Sequence, residues 1–153
     1  MPTSCEHKVS IVSVTDIDEL MRWRREVIAE VFGTEPSDRL LAANRRYYLE
    51  HVPDGTHVAV AATADGSDAG CGAFCLQDEL PSPDNPSGRC AYLMNIYVKA
   101  EYRRHGIARA IVEHLVGEAE RLGCGKIYLE TTEEARRLYE SAGFREMKNL
   151  LKL

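Results

Sequence analysis

The sequence predicts an α/β fold of the α+β type, in which four helices flank one mixed, mostly antiparallel sheet of about six to seven strands. Three observations support this prediction. Strand-like segments first form a group and later alternate with helical segments, which indicates a meander followed by strand–helix–strand units. Glycines stand where the helical patterns stop, as is typical of helix C-termini. The length of 153 residues fits one domain, residues 1–153, better than two.

The N-terminal third reads as one strand and two helices. Apolar and polar residues nearly alternate over residues 8–14, which predicts a strand. Thr15 or Asp16 then caps a helix that runs to about Phe32, because an apolar stripe recurs there at helical spacing. A second helix is predicted over about residues 37–51, before a turn rich in proline and glycine.

The middle of the chain reads as three strands. Residues 56–63 and 70–76 flank an Asp-Gly-Ser-Asp sequence, which is typical of a β-hairpin turn. Prolines and glycine concentrate in residues 77–88, so this stretch is predicted to be a long loop, and long loops in compact domains are often functional. Residues 90–98 carry bulky side chains on both faces, as expected for a strand at the centre of a sheet.

The C-terminal third is predicted to alternate between helix and strand. Residues 106–122 show the clearest helical pattern, and residues 126–130 read as the following strand. The sequence Thr-Thr-Glu-Glu at residues 131–134 fits a capping box before a short helix that ends at Gly143. A final strand is predicted over residues 144–153.

Composition excludes several classes of function. The net charge of −5 argues against nucleic-acid binding, which needs clustered lysine and arginine. The five cysteines lack the paired short spacings of a disulfide framework or a zinc site, so no metal is expected. Apolar stretches are too short to span a membrane, and no signal-peptide pattern follows Met1. A cytoplasmic protein that binds no membrane is therefore expected.

A positively charged loop precedes the third predicted helix. Arg103, Arg104 and His105 lead into Gly106, and Arg109 follows in the first helical turn. A helix N-terminus presents unpaired N–H groups and about half a positive charge, and glycine lets a phosphate approach the main chain closely. The pattern predicts a phosphate-binding helix start; a capped helix with solvated arginines is the alternative.

Two motifs resemble the GNAT superfamily of N-acetyltransferases. Arg103, Gly106 and Ala108 match the family's Arg/Gln-x-x-Gly-x-Gly/Ala signature. Tyr139, followed by Gly143 and Phe144, is similar to its closing Tyr-x-x-x-Gly-Phe motif. The motifs occur in the family's order, separated by one helix and one strand, and the detailed similarity covers about residues 92–144.

The resemblance implies that acetyl-CoA binds where two central parallel strands, residues 90–98 and 126–130, splay apart. It places the pyrophosphate on the main chain of the charged loop and the pantetheine arm along the preceding strand. Main-chain N–H groups of that strand are then available to the acetyl carbonyl. The cofactor-binding residues that carry over are Ile96, Tyr97, Val98, Arg103, Arg104, His105, Gly106, Ile107, Ala108, Arg109 and Thr132. Thr132 stands where the family often has asparagine, and helix capping is the alternative for it.

The resemblance further implies direct attack by an amine on the thioester. Tyr139 matches the family's usual proton donor to the leaving thiolate; packing against the sheet is the alternative. The general base stays open, because the family's acid on the central strand is missing. Glu79 and Glu130 are the candidates, with a solvated or capping role as the alternative for each, and Asn95 could orient a water or simply hydrogen-bond in the sheet. Residues expected to line the acceptor pocket are Trp23, Glu79, Tyr92 and Asn95.

Three classes of function follow for the chain. The first is an N-acetyltransferase for a small-molecule or peptide amine. A homodimer is also possible, because proteins that this chain resembles often form one. The second is a non-catalytic module or sensor that binds CoA or acyl-CoA, which the missing strand acid keeps open. The third is a general binder of nucleotide phosphates, which would show no preference for CoA over ATP.

Overall fold

The computed structural model describes residues 6–153, which form five strands and four α-helices around one sheet. A short 3-10 turn, Ala100–Tyr102, precedes the third helix. In chain order the elements are β1 Val9–Ser13, α1 Ile17–Val31, α2 Asp38–His51, β2 His57–Ala64, β3 Ser67–Asp78, β4 Arg89–Val98, α3 Ile107–Arg121, β5 Lys126–Leu129 and α4 Arg136–Ser141.

Side-chain caps begin the first two helices. The Asp16 carboxylate accepts a hydrogen bond from the main-chain N–H of Glu19 at 2.8 Å, and Ser37 does the same for Leu40 at 3.1 Å. A cap pairs an N–H group that has no partner inside the helix and typically contributes about 1 kcal/mol. Of the two caps predicted for α1, the structure uses Asp16.

The sheet has the order β1-β2-β3-β4-β5 and is mixed. Its first three pairings are antiparallel, while β4 and β5 pair in parallel through Cys90–Leu93 and Lys126–Leu129. The α+β class, the four helices and the mixed, mostly antiparallel sheet are therefore confirmed. The predicted count of six to seven strands is wrong, because the described sheet has five.

The missing strand is the one predicted for residues 144–153. A turn at Lys148 and Asn149 interrupts this segment, which is otherwise irregular. A groove of about 1000 Å³, lined by Phe144, Met147, Leu150 and strand β5, separates the segment from the edge of the sheet. A strand is stabilised by pairing with a neighbouring edge, and within residues 6–153 no strand pairs with this segment.

Helices cover both faces of the sheet. On one face, α3 and α4 pack over a core that includes Phe74, Leu93 and Leu115, all at most 2% exposed. On the other face, α1 and α2 bury Trp23 and Tyr48. In both layers the apolar stripe of each helix meets the alternating side chains of the strands.

A glycine permits the close approach of α3 to the sheet. A Cβ at Gly72 would lie 2.6 Å from Ile111 Cγ2 and 2.8 Å from Ile96 Cδ1. Any larger residue would push α3 away from the strands, so glycine is required in the middle of β3. Within residues 6–153, no helix is both long and apolar enough to cross a membrane.

Candidate active site

The candidate site lies where β4 and β5 stop pairing. Their parallel pairing ends at Leu93 and Leu129, and β4 then continues as Met94–Val98, paired with β3 but not with β5. Among residues 6–153, no strand pairs with this stretch on the side away from β3. The splayed strand pair thus leaves main-chain N–H and C=O groups of β4 along an open edge, where an extended ligand arm can pair with them.

A β-bulge shapes the start of this open edge. The register between β3 and β4 shifts between Cys71 and Ala73, so that two β4 residues, Asn95 and Ile96, stand opposite Gly72. Asn95 adopts a left-handed conformation with φ +59°. A bulge redirects the chain that follows it, and bulges are frequent beside active sites.

The loop before α3 has the geometry of an anion-binding nest. Arg104 and Gly106 have φ values of +66° and +76°, with His105 between them. Left-handed residues in such a turn direct successive main-chain N–H groups toward one side. Within residues 6–153, no side chain caps the N-terminus of α3, so these N–H groups and the helix dipole can serve a ligand.

Gly106 leaves room for such a ligand. An added Cβ would meet nothing within 4 Å in the described chain and would point into the space in front of the helix. A side chain there would occupy the position from which a phosphate reaches the main chain. The positive φ gives a second reason for glycine, because other residues adopt it at a cost of roughly 1–2 kcal/mol.

The charged side chains of the loop have different partners. Arg103 donates from Nε to the Val98 carbonyl at 3.1 Å, which ties the loop to the end of β4. Arg109 pairs with Glu113 at 2.8 Å, so part of its charge is neutralised. Arg104 and His105 are exposed, and the His105 ring lies 4.8 Å from that of His7. Arg104 is therefore the arginine most available to a phosphate.

The remaining residues predicted to bind the cofactor have side chains that are already packed or hydrogen-bonded, so they can offer a cofactor their main-chain groups. Ile107 is 1% exposed and packs in the α3 core, and Ile96 also faces that core. Tyr97 points to the opposite face, where its ring lies 6.5 Å from Trp23. Thr132 is exposed, but its hydroxyl already accepts a hydrogen bond from the Ala135 N–H at 3.3 Å.

Tyr139 lies near the end of β5. It is 9% exposed, packs with α3 and lines the same groove as Leu129 and Glu130. Burial raises the pKa of its phenol above the ordinary value of 10.0 and is the one cause of the shift. The hydroxyl is therefore protonated at neutral pH and able to donate a proton.

The residues expected to line an acceptor pocket lie in different environments. Trp23 is 1% exposed in the core beneath α1, away from solvent. Glu79 lies on the surface and pairs with Lys126 at 3.2 Å. Asn95 sits in the bulge, and Tyr92 lies half-buried on β4 next to Tyr128 of β5, with 5.1 Å between ring centroids. Of these, Tyr92 and Asn95 are beside the splayed strands.

Two neighbours of this site are absent from the sequence prediction. Tyr128 stands opposite Tyr92 where β4 and β5 pair in parallel. Both tyrosines lie in predicted strands, so the sequence could have indicated this pair. Arg24 reaches the bulge from α1 and donates to the Asn95 side chain at 2.8 Å. Its run of neighbouring arginines looks like a solvated helix face in the sequence, so no local pattern indicates this contact.

Comparison with known proteins identifies the family. A model described as the Acetyltransferase (GNAT) family matches residues 17–144, which is most of the chain. The chain belongs to the GNAT acetyltransferase family. Both resembling motifs, the loop at Arg103–Ala108 and the Tyr139–Phe144 segment, fall within the matched range.

Curated relatives of this GNAT chain include two N-acetyltransferases. It is 33% identical to N-alpha-acetyltransferase 30 of Saccharomyces cerevisiae over 110 residues, which are 70% of this chain and 61% of the yeast protein. It is 44% identical to the ribosomal protein bS18 alanine N-acetyltransferase of Escherichia coli K12 over 59 residues, 37% and 40% of the two chains. The similarity thus spans about half the length of these relatives.

A solved structure agrees with the fold over nearly the whole chain. A predicted acetyltransferase of Clostridium acetobutylicum, determined with acetyl-CoA, superposes with a TM-score of 0.81 and 26% identity. The match covers 96% of this chain and 95% of that protein. Family membership and fold therefore agree between sequence and structural comparison.

Proposed function

We propose that this GNAT chain transfers an acetyl group from acetyl-CoA to a primary amine of a small molecule or a peptide. The observation that carries the proposal is the gap beyond Leu93 and Leu129, with the uncapped start of α3 and the buried Tyr139 on the same face of the sheet. This arrangement joins an anion-binding helix start, an open strand edge and a proton donor.

The residues present fit acetyl-CoA. The loop at Arg104–Gly106 offers converging N–H groups to a diphosphate, and the missing Cβ at Gly106 leaves space for it. The open edge Met94–Val98 is extended and can pair with the amide groups of a pantetheine arm. When bound, acetyl-CoA supplies a thioester carbonyl that an amine can attack directly.

Tyr139 is the proposed proton donor. As the amine nitrogen bonds to the acetyl carbon and the carbon–sulfur bond breaks, Tyr139 passes its proton to the departing sulfur. Its raised pKa keeps the hydroxyl protonated in the resting protein. Tyrosine and thiol have ordinary pKa values of about 10 and 8.5, and burial of Tyr139 widens this difference, so the tyrosinate formed regains its proton from solvent as the thiol leaves.

Glu130 is the proposed base on the acceptor side. Glu130 directly follows β5 beside the gap. The pKa of Tyr92 on β4 is raised by burial and by the Glu130 carboxylate and Tyr128, so the charge of Glu130 acts on a residue of the splayed strands. Glu79 is a poorer candidate because the Cys90 thiol and the Lys126 ammonium lower its pKa, which weakens it as a base. Glu130 would take the amine's proton directly or through one water.

A thiol-release assay tests the proposed activity. Purified protein is mixed with acetyl-CoA and a panel of amines that includes alanine-terminated peptides, lysine-containing peptides and small polyamines. We expect thiol release that depends on one class of amine, with an equal amount of acetylated product detected by mass spectrometry. CoA binding without release across the panel would instead favour the non-catalytic CoA module or sensor.

We also propose a cytoplasmic location. Cys71, Cys75, Cys90 and Cys124 all carry free thiols in the described chain. Free cysteines without disulfides are typical of proteins in a reducing compartment.

Replacing Gly106 by alanine should weaken CoA binding. The added Cβ occupies the space proposed for the phosphate, so we expect the Kd for CoA in calorimetry to rise by about tenfold or more. The left-handed φ of +76° also costs roughly 1–2 kcal/mol of stability for a residue with a side chain.

Gly123→Ala is the matched control for this variant. Gly123 lies at the other end of α3, has φ +85° and likewise has nothing within 4 Å of an added Cβ. Both variants should lose similar stability, whereas the control should bind CoA with the wild-type Kd. Equal CoA affinities in the two folded variants would contradict the assignment of the phosphate to this helix start.

A further inference from the structure

Arg24 of α1 connects three elements at the rim of the splayed strands. Its Nε donates to the Asn44 side chain of α2 at 2.8 Å, and one terminal nitrogen donates to the Asn95 side chain of β4 at 2.8 Å. Asn44 is itself fixed, because its amide donates to the Leu40 carbonyl at 2.7 Å. The contact with Asn44 thus fixes the guanidinium against α2, and the guanidinium in turn fixes the side chain of Asn95 in the bulge.

The partners of Arg24 are unusual for a half-buried cation. Within residues 6–153, its hydrogen bonds go only to two neutral amide oxygens, and no carboxylate pairs with it. Moving a charge out of water is costly unless an opposite charge compensates it. Its guanidinium also lies 5.7 Å from the centroid of the Phe32 ring, but that ring is 65% exposed and contributes little. An apolar side chain would fill the same space at lower cost, so stabilisation of the fold is a poor explanation for an arginine here.

The bulge is the part of β4 that needs support. Met94 packs on the α1–α2 side, Asn95 is bonded to Arg24 on that same side, and Ile96 returns to the α3 side. Two consecutive residues thus face one side of the sheet, and the usual alternation restarts after them. The side-chain directions of the open edge beyond the bulge therefore depend on the conformation of Asn95.

Asn95 is strained in this conformation. Asparagine tolerates a left-handed φ better than most residues, but it still costs roughly 1 kcal/mol or more relative to glycine. Two contacts hold it there: Arg24 binds its side chain, and the Cys71 thiol donates to its carbonyl oxygen at 3.4 Å. A hydrogen bond to a charged donor is the stronger of these two kinds.

We propose that Arg24 is a positioning residue for acetyl transfer. By holding the Asn95 side chain, it fixes the bulge and so sets the direction of the main-chain N–H groups of Ile96–Val98 along the open edge of β4. Arg24 acts through Asn95 and touches neither the acetyl donor nor the amine. This inference rests on the proposed acetyltransferase function.

The first test is the conformation of the open edge beyond the bulge. In Arg24→Met, the main-chain amide NMR resonances of Ile96–Val98 should shift and broaden, while those of α3 keep their positions. Arg25→Met is the matched control, because it removes a neighbouring exposed arginine from the same helix. Unchanged resonances of Ile96–Val98 in Arg24→Met would overturn the inference, and this readout does not depend on activity.

The second test separates positioning from acceptor binding. Arg24→Met should lower kcat by about tenfold or more and leave the KM for the amine and the Kd for CoA within about two-fold of wild type. Arg24→Lys should recover part of the loss, since a lysine can still donate to Asn95. A raised KM at unchanged kcat would overturn the inference, because Arg24 would then contact the acceptor.

A double-variant cycle shows whether Arg24 works through Asn95. Glycine adopts the conformation of Asn95 without strain and cannot bond to Arg24, so in Asn95→Gly the further change Arg24→Met should have no added effect on kcat. Independent, additive losses would overturn the inference. A wild type that releases no thiol would overturn the proposed function, whereas an active wild type with normal kcat in Arg24→Met would overturn the Arg24 inference alone.

Discussion

Tyr139→Phe is expected to abolish most acetyl transfer while leaving CoA binding intact. The variant keeps the buried ring, which packs against Phe144 at 6.0 Å between centroids, and removes only the hydroxyl proposed as the proton donor. General acid catalysis typically contributes about 10²- to 10⁴-fold, so kcat should fall by that order in the thiol-release assay. Since burial is the one cause of its pKa shift, loss of the hydroxyl should change the melting temperature little.

The matched control for this variant is Tyr48→Phe. Tyr48 is also a buried tyrosine, 4% exposed, with a pKa raised to about 12 chiefly by burial, but it lies on the α1–α2 face. Loss of the Tyr48 hydroxyl should leave kcat for acetyl transfer at the wild-type value. A Tyr139→Phe enzyme with full activity would contradict the role of Tyr139 and leave proton transfer to solvent.

The pH profile gives a second check on Tyr139. In the proposed mechanism the protonated phenol is the active form, and burial raises its pKa above 10.0 in the folded protein, so activity should not decline with pH until the pH exceeds that value. On the acid side, the rate should rise with pH as the amine loses its proton. A declining limb below pH 10 that disappears in Tyr139→Phe would contradict a raised pKa.

Stability is expected to fall steeply below pH 6.5 because of His57. Burial, His51 and Arg24 lower the pKa of this histidine from 6.5 to about 4 in the folded protein. The unfolded chain therefore binds more protons as the pH falls from 6.5 to 4, which favours unfolding in that window. The full shift corresponds to roughly 3 kcal/mol, measurable as the pH dependence of the free energy of urea unfolding.

The surroundings of His57 explain why it stays neutral. It is 5% exposed and shares a 2.8 Å hydrogen bond between its Nδ1 and the Tyr47 hydroxyl. The Tyr48 ring lies 5.3 Å away, and Cys75 is its partner across the strand pair. Burial raises the pKa of both Tyr47 and Tyr48, so neither tyrosine carries a negative charge that would stabilise a protonated imidazole.

His57→Gln separates this contribution from general acid unfolding. Glutamine does not titrate, so the variant should lose less stability than the wild type between pH 6.5 and 4, whatever its stability at neutral pH. Parallel pH curves for wild type and His57→Gln would contradict a neutral, buried His57.

Most of the element order could be predicted from the sequence because local patterns determine it. The apolar stripe of α3 and the hairpin turn at Asp65 and Gly66 depend on residues close in the chain, and the structure reproduces both. Residues 144–153 have similar local apolar content, yet whether they form a strand depends on a neighbouring edge. That edge is a tertiary feature, so the prediction of a sixth strand was wrong.

The sequence by itself determined the family motifs, the glycine at the start of α3 and the identity of Tyr139 as a candidate donor. Each depends on residue types at fixed short spacings, which local backbone geometry and chemistry explain. Only the tertiary structure decided that Trp23 is buried, that Glu79 pairs with Lys126, and that Arg24 reaches the β4 bulge. The Glu79–Lys126 and Arg24–Asn95 contacts join residues 47 and 71 positions apart, and the burial of Trp23 depends on how the helices cover the sheet. Spacing along the chain does not indicate contacts of this kind.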